Sequence, residues 1–175
     1  MRILKKVYPI ISITIVVFIA VALLNSTYIV AAPAIERQRE LRMERMLKEI
    51  FPDMTDRTDV NGIYRIYANG DEIGTAFLAV GTGWGGAINI LVGIENETIK
   101  GIAILSHSET PGLGARITED EFRDQFAGLH IDDVALRRDN GKIDAITAAT
   151  ISSRTVADAV RAAAMDIIES LRGRE

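Results

Sequence analysis

Cysteine is absent from all 175 residues. That excludes disulfides, thiolate ligation of iron–sulfur clusters and thiol catalysis, and it removes the usual clue to redox compartment. Histidine is nearly absent. His107 and His130 stand far apart and form no metal-ligand spacing, so no metal site is predicted. Acidic residues are missing from the front of the chain, where nothing acidic precedes Glu36. A basic excess is lacking too: 20 basic against 24 acidic residues give a net charge of −4. Beyond Arg2, Lys5 and Lys6 the balance is 17 against 24, or −7, and an acidic domain makes nucleic acid an unsuitable partner. No nucleophile–base pair is visible, which disfavours a hydrolase or transferase and leaves no catalytic residue to nominate.

The chain does have a long apolar run, from Val7 to Leu24, with no charge before Glu36. About 20 such residues span a bilayer as a helix. The three basic residues ahead of it place residues 1–6 in the cytoplasm, an anchor at 7–32 and the remainder outside, on the periplasmic side of the cell membrane. Tyr8 and Tyr28 suit the two interfaces. A cleavable signal ending near Val30-Ala31-Ala32 is the competing reading; Pro33 directly after it argues for an uncleaved anchor. Both readings export the domain.

Residues 33–52 are rich in Arg, Glu, Leu and Met and predict a stalk helix, with a loose apolar stripe of Ile35, Leu41, Met46 and Ile50, ended by Pro52. Residues 53–175 form one domain. Ile63–Tyr67 alternates, Asn69-Gly70 signals a hairpin, and Glu72–Val80 is the return strand. Ala87–Ile94 and Ile99–Leu105 follow as third and fourth strands of an antiparallel meander. Thr118–Phe126 predicts a short helix with Thr118 and Glu121 as a capping box. Ile131–Arg138 predicts a strand, followed by a turn at Asp139-Asn140-Gly141. The last helix carries Val156, Val160, Ala163, Ile167 and Leu171 on one face. The class is α+β: a transmembrane helix, then a mostly antiparallel sheet with flanking helices.

Three stretches stand out chemically. Asp144-Ala-Ile-Thr147-Ala148-Ala149-Thr150 leads into the last helix, where unpaired N–H groups and the dipole suit an anion. Ala148 and Ala149 leave room for a ligand and Thr150 offers a hydroxyl; the ordinary alternative is a helix cap by Thr147, Ser152 or Ser153. His107-Ser-Glu109-Thr110-Pro111-Gly112-Leu113-Gly114 is a Pro-Gly turn with Glu109 and Thr110 at its rim, or else a plain surface turn. Gly81–Ile88 sets four glycines around Trp84. Such a loop can approach a planar ligand, or serve as a flexible connection with Trp84 packed on the core.

Together these stretches resemble the FMN-binding domain family, which includes the G subunit of the Rnf electron-transport complex and the C subunit of the sodium-pumping NADH:quinone reductase. The resemblance covers residues 1–172, with the stretches in family order. Asp144-x-x-Thr147-Ala148-Ala149-Thr150 is similar to the flavinylation signature, whose last threonine carries FMN through a phosphoester; that position here is Thr150. The family usually has Ser-Gly-Ala-Thr, so Ala148 stands where glycine is common. The His-x-Glu-Thr-Pro-Gly-Leu-Gly pattern is intact, and the resemblance nominates Glu109, Thr110 and Leu113 as flavin contacts, with Thr147 and Ala149 beside the phosphate. It gives His107 a structural or hydrogen-bonding role and assigns Asp144 to loading by a separate flavin transferase. Trp84 replaces a family tyrosine.

The function implied is an electron relay, not a complete enzyme alone. It would sit among other membrane and redox subunits of an Rnf-type complex that passes electrons from ferredoxin to NAD or another acceptor, coupled to Na⁺ or H⁺ movement. The alternatives are the C subunit of the sodium-pumping quinone reductase, which is usually longer, and a cofactor-free anchored scaffold protein.

Overall fold

The computed structural model describes residues 2–173, and within them the side chains from Ile13 onward except those of Thr27 and Val30. The side chains of Arg2, Lys5, Lys6 and Tyr8, on which the expected orientation and one expected interfacial anchor rest, lie outside the described residues. Two compact units emerge, residues 1–44 and residues 45–175.

In the first unit, helix α1 (Arg2–Ile50) begins. It holds the one described stretch long and apolar enough to cross a membrane, with a mean hydropathy of 2.3. Phe18, Leu24 and Tyr28 are exposed there. Ser26 Oγ donates to the Ala22 carbonyl at 2.8 Å, so this hydroxyl is satisfied within the helix, as lipid requires. A single helix runs through Pro33 where the sequence predicts a separate stalk. Proline lacks one N–H, and the flanking helix formers outweigh that loss.

The second unit opens with the last turns of α1, whose Leu47 and Ile50 are buried, followed by buried Phe51. A Cβ on Gly74 or Gly93 would meet the Phe51 ring at 2.6 or 2.7 Å. The ring thus packs closely on the sheet only because those two side chains are absent. Arg123 ties this corner by pairing with Glu49 at 2.8 Å and with Asp120.

Five strands form an antiparallel meander in sequence order: β1 (Asp56–Val60), β2 (Ile63–Ala68), β3 (Asp71–Thr82), β4 (Ala87–Glu95) and β5 (Thr98–Ser106). The four strands predicted from alternation are β2–β5. β1 is an addition. It is an edge strand of mostly exposed, charged residues, so it shows no apolar alternation, although Asn61-Gly62 before β2 is the same hairpin signal as Asn69-Gly70.

One face of the sheet is covered by helix α3 (Thr150–Arg172) through Val156, Ala157, Val160 and Ala164, all fully buried. Full burial of a valine or isoleucine contributes about 1.5–3 kcal/mol, so this layer dominates the core. Ile90, Val92 and Ile104 meet it from the sheet.

The connection between β5 and α3 corrects two expectations. Residues 118–126 form helix α2 (Asp120–Arg123) flanked by 3₁₀ turns, and Glu119, not Thr118, precedes it. No capping box forms, because the Thr118 hydroxyl donates back to the Ala115 carbonyl. Residues 131–138 are not a strand. They are 3₁₀ turns at Ile131–Asp133 and Arg137–Asp139, joined to Ile143 only by a single bridge at Leu136. The Asp132 N–H donates to His130 Nδ1, closing a tight turn where a ladder would need that group. The turn at Asn140 is present, left-handed at φ 65°.

Candidate functional site

The three chemically distinctive stretches meet at one end of the sheet. They line a cavity of about 380 Å³ bounded by Trp84, Glu109, Thr110, Leu113, Gly114 and residues 148–152.

Its floor depends on Glu109, only 5% exposed. Glu109 Oε1 accepts from the Gly85 N–H at 2.9 Å. Its Oε2 accepts from the Ser152 hydroxyl at 2.5 Å. The Glu109 N–H donates to His107 Nδ1 at 3.2 Å, so His107 serves the backbone of this loop. One carboxylate therefore joins the β3–β4 turn, the Pro-Gly loop and the first turn of α3. A buried carboxylate left without donors would cost several kcal/mol, and two donors offset that.

The glycines answer to this packing. A Cβ on Gly83 would sit 2.3 Å from Glu109 Oε1, one on Gly114 2.5 Å from Oε2, and one on Gly85 1.9 Å from the Ser108 carbonyl oxygen. Gly85 and its neighbours make close approach to the chain itself, not an open flexible connection. Trp84, at the tip of the turn, is 76% exposed at the cavity rim and is not packed on the core.

On the opposite wall, Ile146–Ala149 is a turn closed by the Ala149 N–H on the Ile146 carbonyl at 3.0 Å. Ala148, its third residue, is left-handed at φ 63°. Glycine is favoured there because a Cβ crowds the carbonyl. Ser153, fully buried, fixes the turn: its Oγ accepts from the Ile146 N–H at 3.0 Å and donates to the Ala149 carbonyl at 2.9 Å.

Helix α3 starts at Thr150 with Ala149 as N-cap and no side-chain cap. Neither Thr147, Ser152 nor Ser153 caps it. The first intrahelical bond comes from the Ser153 N–H, leaving those of Thr150, Ile151 and Ser152 without intrahelical acceptors. The Thr150 side chain is half-buried, and its hydroxyl has no hydrogen-bond partner among the described residues.

Thr147 and Asp144 lie elsewhere, lining a separate cleft of about 150 Å³ with Arg116, Glu119 and Glu121. Asp144 pairs with Arg137 at 2.6 Å, and its N–H donates to Gln125 Oε1 at 2.7 Å. Thr110 and Leu113 are exposed at the cavity mouth, and Ala149 is buried in its wall. Among the described residues no group of His, Asp or Glu could hold a metal ion. The supports of this region that the sequence does not announce are Ser152 and Ser153. Both act by side-chain bonds, the first to a partner 43 residues away.

A family model described as FMN-binding domain matches residues 83–165, the span from the glycine turn into α3. The G subunit of the ion-translocating oxidoreductase complex of Methanosarcina acetivorans is 33% identical over 94% of this chain and 95% of its own length. The G subunit of the proton-translocating ferredoxin:NAD(+) oxidoreductase complex of Clostridium ljungdahlii is 29% identical over 93% of this chain and 92% of its own. Among solved structures, NqrC of Shewanella oneidensis superposes with a TM-score of 0.50 at 18% identity over 62% of this chain and 64% of that one, a likeness of fold. With an N-terminal apolar helix consistent with single-pass anchoring and a domain built as described, this chain belongs to the family of G subunits of ion-translocating oxidoreductase complexes.

Proposed function

We propose that this chain is the membrane-anchored, FMN-carrying relay subunit of an ion-translocating oxidoreductase complex, with the flavin joined to Thr150 by a phosphoester. One observation carries the reading. Of the four hydroxyls at positions 147–153, only that of Thr150 both lines the cavity and has no hydrogen-bond partner among the described residues; those of Ser152 and Ser153 are committed and Thr147 faces the other cleft.

The residues suit the group. Three N–H groups and the positive end of α3 meet a phosphate, a stabilisation of roughly 0.3–1 kcal/mol from the dipole alone. Ala148 and Ala149 are small enough to leave the phosphate a path, while Trp84, Leu113 and Ile151 offer exposed apolar surface to a ring system. FMN supplies the electron transfer when bound; the protein supplies position and electrostatics. Covalent attachment keeps the cofactor on a domain that Arg2, Lys5 and Lys6 place outside the cytoplasm. Asp144, exposed and lining a cleft separate from the Thr150 cavity, belongs to recognition by the flavin transferase. Ferredoxin as donor and NAD as acceptor follow the name of the Clostridium ljungdahlii relative.

The test is co-expression with a flavin transferase, followed by denaturing electrophoresis. The wild-type band fluoresces as a flavin and Thr150→Ala is dark while melting like wild type. A fluorescent Thr150→Ala band, or a dark wild-type one, contradicts the reading.

A further inference from the structure

We propose that Glu109 is a positioning residue that sets the flavin's reduction potential: its carboxylate clasps the walls of the cavity together and stands beside it as a fixed negative charge. This rests on the reading that the cavity takes FMN. The clasp spans segments 24 and 43 residues apart in sequence, through Gly85 and Ser152. Both bonds are to neutral donors, and Glu109 has no ion pair among the described residues. The partial positive end of α3, where Ser152 is the third residue, adds to what those two donors offset. The surroundings are moulded to the carboxylate, because Gly83 and Gly114 press against its two oxygens without room for a Cβ. A side chain so enclosed has little freedom to swing out as a ligand, so it acts through its span and its charge.

Two-electron reduction of a flavin with uptake of one proton adds one net negative charge to the cavity. A fixed carboxylate on the same wall disfavours that product over the oxidised form and holds the potential down. Gln in place of Glu keeps the shape: its carbonyl oxygen accepts from the Gly85 N–H and its amide donates to Ser152 Oγ. The clasp survives and the charge is gone. Ser152→Ala does the reverse, since the carboxylate stays and loses one screening donor. A purely structural role would move both variants the same way.

The experiment uses full-length protein loaded with FMN by a flavin transferase and titrated with dithionite under mildly alkaline conditions, where reduced flavin takes up one proton. The expected result, read on the flavin-loaded fraction of each protein, is a midpoint potential shifted positive in Glu109→Gln and negative in Ser152→Ala. An unchanged potential in Glu109→Gln, or shifts of the same sign in both, overturns the inference. If Glu109→Gln does not load, Ser152→Ala decides by itself: a negative shift supports the inference, and no shift or a positive one overturns it. Failure of the wild type to load contradicts the proposed function; a loaded wild type with an unshifted Glu109→Gln contradicts only the role given to Glu109.

Discussion

The two ends of α3 both border cavities of similar size, about 380 Å³ at the start and about 450 Å³ near the end, yet they are built by different physics. At the start, Ser152 and Ser153 are 3% and 0% exposed and each makes a defined bond to another segment. At the far end, Glu97 bridges His130 at 3.2 Å and Arg172, with all three side chains substantially exposed. Buried polar groups that are satisfied fix one arrangement, because every alternative strands a donor. Exposed pairs exchange with water at little cost. Volume therefore does not distinguish the two ends; the buried, interlocked polar groups do.

Substitutions at the two ends should separate accordingly. Gly85→Ala has the largest effect, because its Cβ would collide with the backbone of Ser108, which cannot yield as a side chain would. Chemical denaturation should show a loss of roughly 3 kcal/mol or failure to fold, by overpacking. Ser153→Ala strands the partly buried Ile146 N–H and frees the 146–149 turn, for a loss of about 1 kcal/mol in the same measurement. Ala148→Gly should gain roughly 1 kcal/mol, since glycine adopts the left-handed backbone without the Cβ clash, with flavin loading retained. At the opposite end, Glu97→Gln should cost below about 1 kcal/mol and leave loading unchanged. A Glu97→Gln loss as large as that of Ser153→Ala would dissolve the contrast.

Much of this was legible in the sequence where the signal was local. Alternation found β2–β5, Asn69-Gly70 found its hairpin, and spacing found Val156, Val160, Ala163 and Ile167 of the α3 face, though not Ala157 or Ala164, while Leu171 lies outside the core. The glycine turn, the Pro-Gly turn and Thr150 each stood out chemically by residue type, and parts of all three line one cavity. Signals failed where a tertiary partner decides. Charged edge strand β1 is held by pairing with β2, not by an apolar face. Ile131–Arg138 has strand-like residues but is turned by the His130 side chain. Ser152 and Ser153 look like caps by position, yet the fold assigns their hydroxyls to Glu109 and to the turn before the helix. Trp84, the sole tryptophan, is an apolar residue exposed at a rim, which burial statistics alone would place in the core.

The most direct test of the central claim is peptide mass analysis of protein produced with a flavin transferase. The account predicts the peptide containing Thr150 heavier by FMN less one water, with fragmentation placing the adduct on Thr150. An adduct on Thr147, Ser152 or Ser153, or bound flavin with no adduct, would contradict it.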